Sequence, residues 1–296
     1  MTKLTRQEIT TALGIPTFNR GHVLLDTINQ ALAQDPRADE IIVVDQSDWY
    51  PEGAREQLER LASEGKIRYF RQDTPNLPMA RNRILREAVT DIVIFVDDDV
   101  CLSPGFIAAH RANYADTEVL AVCGRLTEEG IASRPPVSRT WLKAGDYREF
   151  DLSWLQRIED FGSLKGCNHS VRVDAARRLG GYDENFTGVA LREESDLALR
   201  ILENDGRIVF DPTAHLHHLR APAGGCRVRQ WGDWTAGFCS LRFALKHRMT
   251  LGRYFWREIW HAYRLGVLNR NTARRPWIVL DRSFRFMKTA LMMQCD

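Results

Sequence analysis

Asp91-Ile-Val-Ile-Phe-Val96 runs directly into Asp97, Asp98 and Asp99, so an apolar stretch ends in three consecutive carboxylates. Five apolar residues rich in β-branched and aromatic types, bounded by acids, read as a buried strand. Side chains two apart in a strand share a face, which sends Asp97 and Asp99 out together beyond the strand end and turns Asp98 away. A pair of carboxylates suits a hard cation: Mg²⁺ takes one or two from a protein and leaves its other positions to water and substrate phosphates, and Mn²⁺ accepts the same donors. The stretch therefore points to a metal-assisted enzyme acting on a phosphorylated donor. Acidic clusters also cap helices and solvate turns, and the neighbouring segments have to decide between the two.

Working outward, Ala12-Leu-Gly-Ile15 reads as a strand ending at Pro16, and Leu24, Leu25, Ile28 and Leu32 give residues 23–33 a helical period. Glu40-Ile-Ile-Val-Val44 reads as a second buried strand, ending at Asp45. A helix over 52–63, a strand over 67–70 and a helix over 79–89, just after Pro78, complete the alternation. Strands alternating with helices predict right-handed βαβ units and a mixed, mainly parallel sheet flanked by helices. Ligands of such sheets bind beyond the carboxyl ends of the strands. Those ends carry Pro16-Thr-Phe-Asn-Arg20, Asp45 and Asp97-Asp-Asp99. Neither GxGxxG nor GxxxxGK[ST] occurs at these turns, which excludes a dinucleotide fingerprint and a P-loop and leaves a metal with arginines to hold phosphate.

A chain of 296 residues, 44% hydrophobic and 27% charged, has the composition of an ordinary soluble globular protein. The N-terminal 14 residues carry no signal-like apolar run, and no stretch approaches the roughly 20 apolar residues of a membrane span. The expected location is the cytoplasm, with the inner face of the cell membrane as an alternative. Six scattered cysteines without CxxC spacing fit reduced thiols. The net charge of +2 conceals an asymmetry: from Arg220 onward there are 15 Lys and Arg against 4 Asp and Glu, and before it 26 against 35. Five of the eight tryptophans (Trp231, Trp234, Trp256, Trp260 and Trp277) fall in that basic tail.

Four segments, in order, resemble the inverting family-2 glycosyltransferases of the GT-A fold: Ile15-Pro-Thr-Phe-Asn-Arg20, Ile41-Ile-Val-Val-Asp45, Pro75-Asn-Leu-Pro-Met-Ala-Arg-Asn82 and Phe95-Val-Asp-Asp-Asp99. Gly166-Cys-Asn-His-Ser-Val-Arg172, Leu179-Gly-Gly-Tyr-Asp-Glu-Asn-Phe186 and Glu193-Glu-Ser-Asp-Leu-Ala-Leu-Arg200 extend the resemblance to about residue 220. A GT-A catalytic domain over residues 1–220, with its donor half at 11–100 and acceptor half at 101–220, and a helical extension over 221–296 are expected.

The resemblance implies transfer of a sugar from a nucleoside-diphosphate sugar, UDP-linked first and dTDP-linked second, to an acceptor hydroxyl with inversion and with Mn²⁺ or Mg²⁺. Glu194, which stands where the family usually has Asp, becomes the catalytic base. Asp99 and Asp97 become metal ligands with His218. Pro16, Thr17, Asn19, Arg20, Asp45, Arg81, Asp97 and Asp98 fall to the nucleotide, Asp45 reading the imide N–H of the base and the arginines meeting its oxygens. Asn168 and Glu193 fall to the sugar and acceptor side. Acids in a first helical turn also favour the helix dipole, by about 0.3 to 1 kcal/mol each, and Asp196 with Arg200 at i,i+4 reads as helix support.

In the tail, the spacing of Trp231, Trp234, Phe238, Leu241 and Leu245, of Phe255, Ile259 and Tyr263, and of Leu280, Phe284, Met287 and Leu291 is helical. Basic amphipathic helices with tryptophan lie on membranes. They also pack on a catalytic domain or a dimer partner. The acceptor is expected to be a glycan, or one linked to lipid, in cell-surface polysaccharide or glycolipid synthesis. Three rival readings are a nucleotidyltransferase, which lacks its glycine-rich lysine loop here, a nucleic-acid binder using the tail, disfavoured by the acidic first part of the chain, and a non-catalytic GT-A domain.

Overall fold

The computed structural model describes residues 9–128, 152–227, 232–269 and 272–292. Residues 127–160, rich in Arg, Pro and Trp, read from the sequence as a loop region that shapes sugar selectivity; most of them lie outside the described residues, as do Trp231 and Cys295.

The first half follows the expected alternation: β1 (Thr11–Thr17), α1 (His22–Leu32), β2 (Glu40–Asp45), α2 (Ala54–Ser63), β3 (Arg68–Arg71), α3 (Leu77–Glu87) and β4 (Ile92–Val96). Helix α3 starts two residues before the expected Met79 because Asn76 caps it, its side chain accepting from Met79 N at 2.9 Å. The second half adds β5 (Val100–Leu102), α4 (Phe106–Asn113), β6 (Val119–Glu128), β7 (Asn168–Arg172), α5 (Val173–Arg178), α6 (Glu193–Glu203) and β8 (Arg207–His218). All eight strands form one sheet in the order β3-β2-β1-β4-β7-β6-β8-β5. The pairs from β3 to β4 are parallel, β4–β7, β7–β6 and β8–β5 are antiparallel, and β6–β8 is parallel.

Alternation along the strands feeds two cores. Ile42, Val44, Val93 and Phe95 pack with Ala80, Ile84 and Leu85 of α3 on one face. Ile41, Val43, Ile94 and Val96 pack with Leu24, Leu25 and Ile28 of α1 and Leu58 and Leu61 of α2 on the other. Burial on both faces explains why β2 and β4 are continuously apolar.

Beyond β8 the chain forms α7 (Gly232–Lys246), α8 (Arg248–Leu251), α9 (Phe255–Gly266) and α10 (Pro276–Met292). Helices α7 and α9 cross where Gly237 meets Gly266; a Cβ on Gly237 would stand 2.3 Å from Gly266 Cα, so no larger residue fits this crossing. The extension shares a core with the preceding domain: Cys239, Phe243, Ala244 and Leu251 pack with Phe186, Ala190 and Leu199. In α10, Phe286 is the buried contact, and the stripe marked by the sequence period (Leu280, Phe284, Met287 and Leu291) faces outward.

Candidate active site

Because β1, β2 and β4 run parallel, their carboxyl ends bring Thr17, Asp45 and the Asp97–Asp99 turn to one edge of the sheet. Strand β5 then turns back against β8 with Val100 opposite His218. That register sets His218 beside Asp99: His218 Nε2 lies 3.1 Å from Asp99 Oδ1 and 3.9 Å from Asp97 Oδ2. One ligand atom each from Asp97, Asp99 and His218 falls within 4.8 Å of the others. Two carboxylates and an imidazole are a donor set for a divalent cation such as Mn²⁺. Asp97 is the partly exposed member, so the cluster opens toward the cleft.

Asp98 turns away, as strand geometry predicts. Thr17 Oγ1 donates to its Oδ2 at 2.6 Å, and Arg20 Nε lies 3.1 Å from its Oδ1. Burial pushes its carboxyl up to about 7, against the Arg20 charge and the Thr17 hydrogen bond. Burial also acts to raise Asp99, but hydrogen bonding from His218, the Arg20 charge and the Ala221 N–H hold it below the usual carboxylate range. For His218 burial acts to lower the imidazole, and Asp99, Asp97 and Glu128 outweigh it, leaving it raised.

The other expected nucleotide contacts divide. Pro16, Thr17, Arg20, Asp97 and Asp98 line a cleft together with Phe18, Gln46, Asn76, Gly188, His218 and Cys226. Arg20 is also a clasp: its Nη2 sits 3.2 Å from Asp99 Oδ2 while Nη1 donates to the carbonyls of Ala221 (3.1 Å) and Ala223 (2.7 Å). Gly225, at φ 56°, lies against that guanidinium, where a Cβ would stand 2.8 Å from Nη2. Asn19 ties loops together: its backbone N–H donates to Ser47 Oγ and its side chain bonds Asp48. Asp45, expected to read the base, is fully buried with both oxygens engaged. Ser47 N donates to Oδ1 at 2.8 Å, and Tyr50 and Tyr69 hydroxyls donate to Oδ2 at 2.8 and 2.7 Å.

Arg81 links the Asp97 edge to the helix carrying the candidate base. It is buried, ion-paired with Glu193, 3.9 Å from Asp97, and donates to Gly166 O at 2.9 Å over the face of Tyr182. Glu193 therefore faces Arg81, and Glu194, also buried, follows it in the first turn of α6. Asn168, expected on the acceptor side, has its amide turned into the core. It donates to Arg125 O and Ala214 O at 2.7 and 3.0 Å and accepts from His110 Nε2 at 3.0 Å. With Nε2 donating, His110 Nδ1 accepts from Ser170, which accepts from Tyr114 (2.9 and 2.8 Å). Burial lowers the His110 imidazole to about 4, so this chain runs through a neutral ring.

Two groups escaped the sequence reading. Glu128 accepts from His218 Nδ1 at 2.9 Å, which points Nε2 at the carboxylates, as outer partners of metal-binding histidines do. Its signal was the β6–β8 pairing, which sets Glu128 opposite His218. Glu258 of α9 pairs with Arg192 at 2.9 Å, both fully buried, immediately before α6. Arg192 is the N-cap of α6 and, like Ala190, has positive φ (80° and 48°), so Glu258 holds a strained entry to that helix.

The family model described as glycosyl transferase family 2 matches residues 13–176, more than half of the chain. A curated relative, the succinoglycan biosynthesis protein ExoM of Rhizobium meliloti (strain 1021), is 27% identical over 209 residues; these span 69% of this chain and 65% of ExoM, just under two thirds of that protein. Among solved structures, S. aureus TarS 1-349 in complex with UDP-GlcNAc superposes with a TM-score of 0.62 at 12% identity, covering 95% of this chain and 82% of that one. The mannosyltransferase PcManGT from Pyrobaculum calidifontis, in complex with GDP-Man and Mn²⁺, gives 0.54 at 18% identity, covering 96% and 76%. These likenesses carry the GT-A fold, and on the family match the chain belongs to glycosyl transferase family 2.

Proposed function

We propose that the enzyme transfers a sugar from a nucleoside-diphosphate sugar, UDP-linked in the first instance, to a hydroxyl of a glycan acceptor with inversion, in the synthesis of a surface polysaccharide or glycolipid. The observation that carries this reading is the convergence of Asp97, Asp99 and His218, of which Asp97 and His218 line a cleft at the carboxyl ends of β1 and β4. These residues would hold Mn²⁺ or Mg²⁺, with the imidazole favouring Mn²⁺. When bound there, the cation neutralises negative charge gathering on the departing diphosphate. Thr17 and Arg20 fix Asp98 and with it the turn between the two metal-binding carboxylates. Arg81 holds Glu193 so that Glu194 projects from a fixed first turn, where its carboxylate takes the proton of the attacking hydroxyl. The PcManGT and TarS complexes support a nucleotide-sugar donor, and the Mn²⁺ in PcManGT supports the cation.

The free space of the cleft, about 130 Å³, is small beside the roughly 300–1,000 Å³ of ligand pockets. Gly225 and Cys226 are among its lining residues, and displacement of the 221–227 segment is the change that would enlarge it for the donor. Incubating the enzyme with Mn²⁺ and a panel of UDP-, dTDP- and GDP-sugars, with released nucleotide measured, tests the reading. One donor should turn over in wild type, and Glu194→Gln should keep nucleotide binding while losing turnover. Turnover in Glu194→Gln equal to wild type removes the base from this assignment.

A further inference from the structure

We propose that the outer face of α9 and α10 docks on an anionic lipid bilayer, with the helices lying in the plane of the surface. The face is fixed by how α10 packs. Ser283 and Phe286 meet Tyr263 of α9, through a hydroxyl contact of 3.0 Å and an edge-on ring contact of 5.5 Å. On the opposite flank, Arg282 and Arg285 lie over Trp234 of α7. At about 100° per residue, Trp277, Leu280, Phe284 and Met287 then fall within roughly 80° of arc on the side of α10 that adjoins α9. Trp256 and Trp260 carry the same surface onto α9, where Trp256 borders an apolar cavity shared with Phe286 and Ala290. Trp277 is 80% exposed, Trp256 75% and Phe284 66%. A soluble monomer seldom gathers so many large apolar side chains on one surface without a partner.

Charge selects the partner. Residues 248–292 contain ten Lys and Arg against two Asp and Glu. A second copy of the same face would set that excess against itself, which opposes self-association. A nucleic acid would match the charge but gives Leu280 and Met287 nothing to bury against. An anionic bilayer satisfies both: apolar side chains enter the boundary between headgroups and acyl chains, tryptophans sit at that level, and basic side chains meet lipid phosphates. No helix among the described residues is long and apolar enough to cross a membrane, so this contact lies on the surface. Helix α9 adjoins α6 through Glu258, which pairs with Arg192 at its start, and through Phe255 and Ile259, which pack against the cluster that contains Leu199; this would present the acceptor side to the bilayer. Only that last step rests on the glycosyl-transfer reading, and a lipid-linked glycan is the acceptor that it favours.

The test is flotation of the full chain with vesicles of phosphatidylcholine alone and vesicles in which about a third of the lipid is phosphatidylglycerol. Wild type should float only with the anionic vesicles and be released by high salt. The double variant Phe284→Ser, Met287→Ser should lose at least about tenfold of this binding. Its melting temperature should not change, since both side chains are exposed. Arg274→Glu with Lys288→Glu should lose a similar factor through charge. Absence of wild-type binding to anionic vesicles, unchanged binding by the serine variant, or a dimer in sedimentation that the serine variant dissolves would each overturn the proposal, the last in favour of a second copy. Nucleotide binding measured without vesicles reports on the donor site separately.

Discussion

The Asp97–Asp99 turn and the first turn of α6 face each other through Arg81, yet they are held from opposite ends of the chain. The turn is fixed by Thr17 and Arg20, which follow β1, and by His218 across the sheet. The helix is fixed by the tail. Glu258 pairs with Arg192 at its N-cap, and His247 Nε2 and Lys246 Nζ reach Asp196 Oδ1 at 2.9 and 2.7 Å. Burial acts to raise the Asp196 carboxyl, and His247, Arg200 and Lys246 nonetheless hold it below its ordinary range. The Asp97–Asp99 turn is thus held by the sheet and the loops beside it, Ala221 N–H on Asp99 Oδ2 included, whereas the α6 edge depends on helices of the 221–296 extension.

Substitutions at the two edges should therefore fail differently. The largest effect is expected for Asp99→Ala, which removes a buried carboxylate from the metal cluster: transfer should fall on the order of 10³-fold, with cation binding lost and the fold retained. Steady-state kinetics with Mn²⁺ titration measures this. Glu258→Gln should act through the other edge. Leaving Arg192 buried without its counter-charge costs about 3–5 kcal/mol, visible as a lowered denaturation midpoint, and kcat should fall more than nucleotide affinity. A loss of nucleotide affinity equal to the loss of kcat would break the distinction.

Acid should separate the edges further. His110 backs the donor edge by holding Asn168, which pairs with Val96 of β4. Its folded pKa near 4 lies below the ordinary 6.5, so the unfolded chain takes up a proton first as pH falls. Stability should decline between pH 6.5 and 4 by roughly 3 kcal/mol. The Asp196 contribution has the opposite origin. Its folded pKa is depressed, so its stabilisation is complete above the ordinary carboxylate value of 3.8 and is lost only as pH falls further. Chemical denaturation from pH 7 to 4 should show the slope in wild type and a flatter one in His110→Gln. The smallest change is expected for Glu128→Gln, which loosens the orientation of His218: Mn²⁺ affinity should weaken by about 10- to 100-fold, read by calorimetry, with the melting temperature of the metal-free protein little altered.

The same contrast marks how far the sequence could be read. Elements from β1 to β4 were legible because β2 and β4 are continuous apolar runs feeding two cores and the helices between the strands keep a helical period, and the shared strand direction put Thr17 and Asp97 at one edge. Strand parity also separated Asp97 and Asp99 from Asp98. The antiparallel half was less legible, since β6, β7 and β8 pair across long sequence separations; Glu128 meets His218 across 90 residues. Asn168 was placed on the acceptor side by its motif, but β7 turns it inward to His110. Asp45 follows a strand as expected, while Tyr50 and Tyr69, which engage its oxygens, lie on neighbouring segments whose approach no local pattern encodes. In α10 the period revealed an apolar stripe, and only packing showed that Phe286, one position off that stripe, faces the protein.

The most direct test of the central claim is thermal unfolding of wild type and Asp99→Ala with UDP, dTDP, GDP, ADP and CDP, each with and without Mn²⁺ or Mg²⁺. One nucleotide, UDP first, should stabilise wild type only in the presence of the cation and leave Asp99→Ala unmoved. Stabilisation that is equal in the variant, or no stabilisation by any nucleotide under any condition, would contradict a metal-assisted donor site at the end of β4.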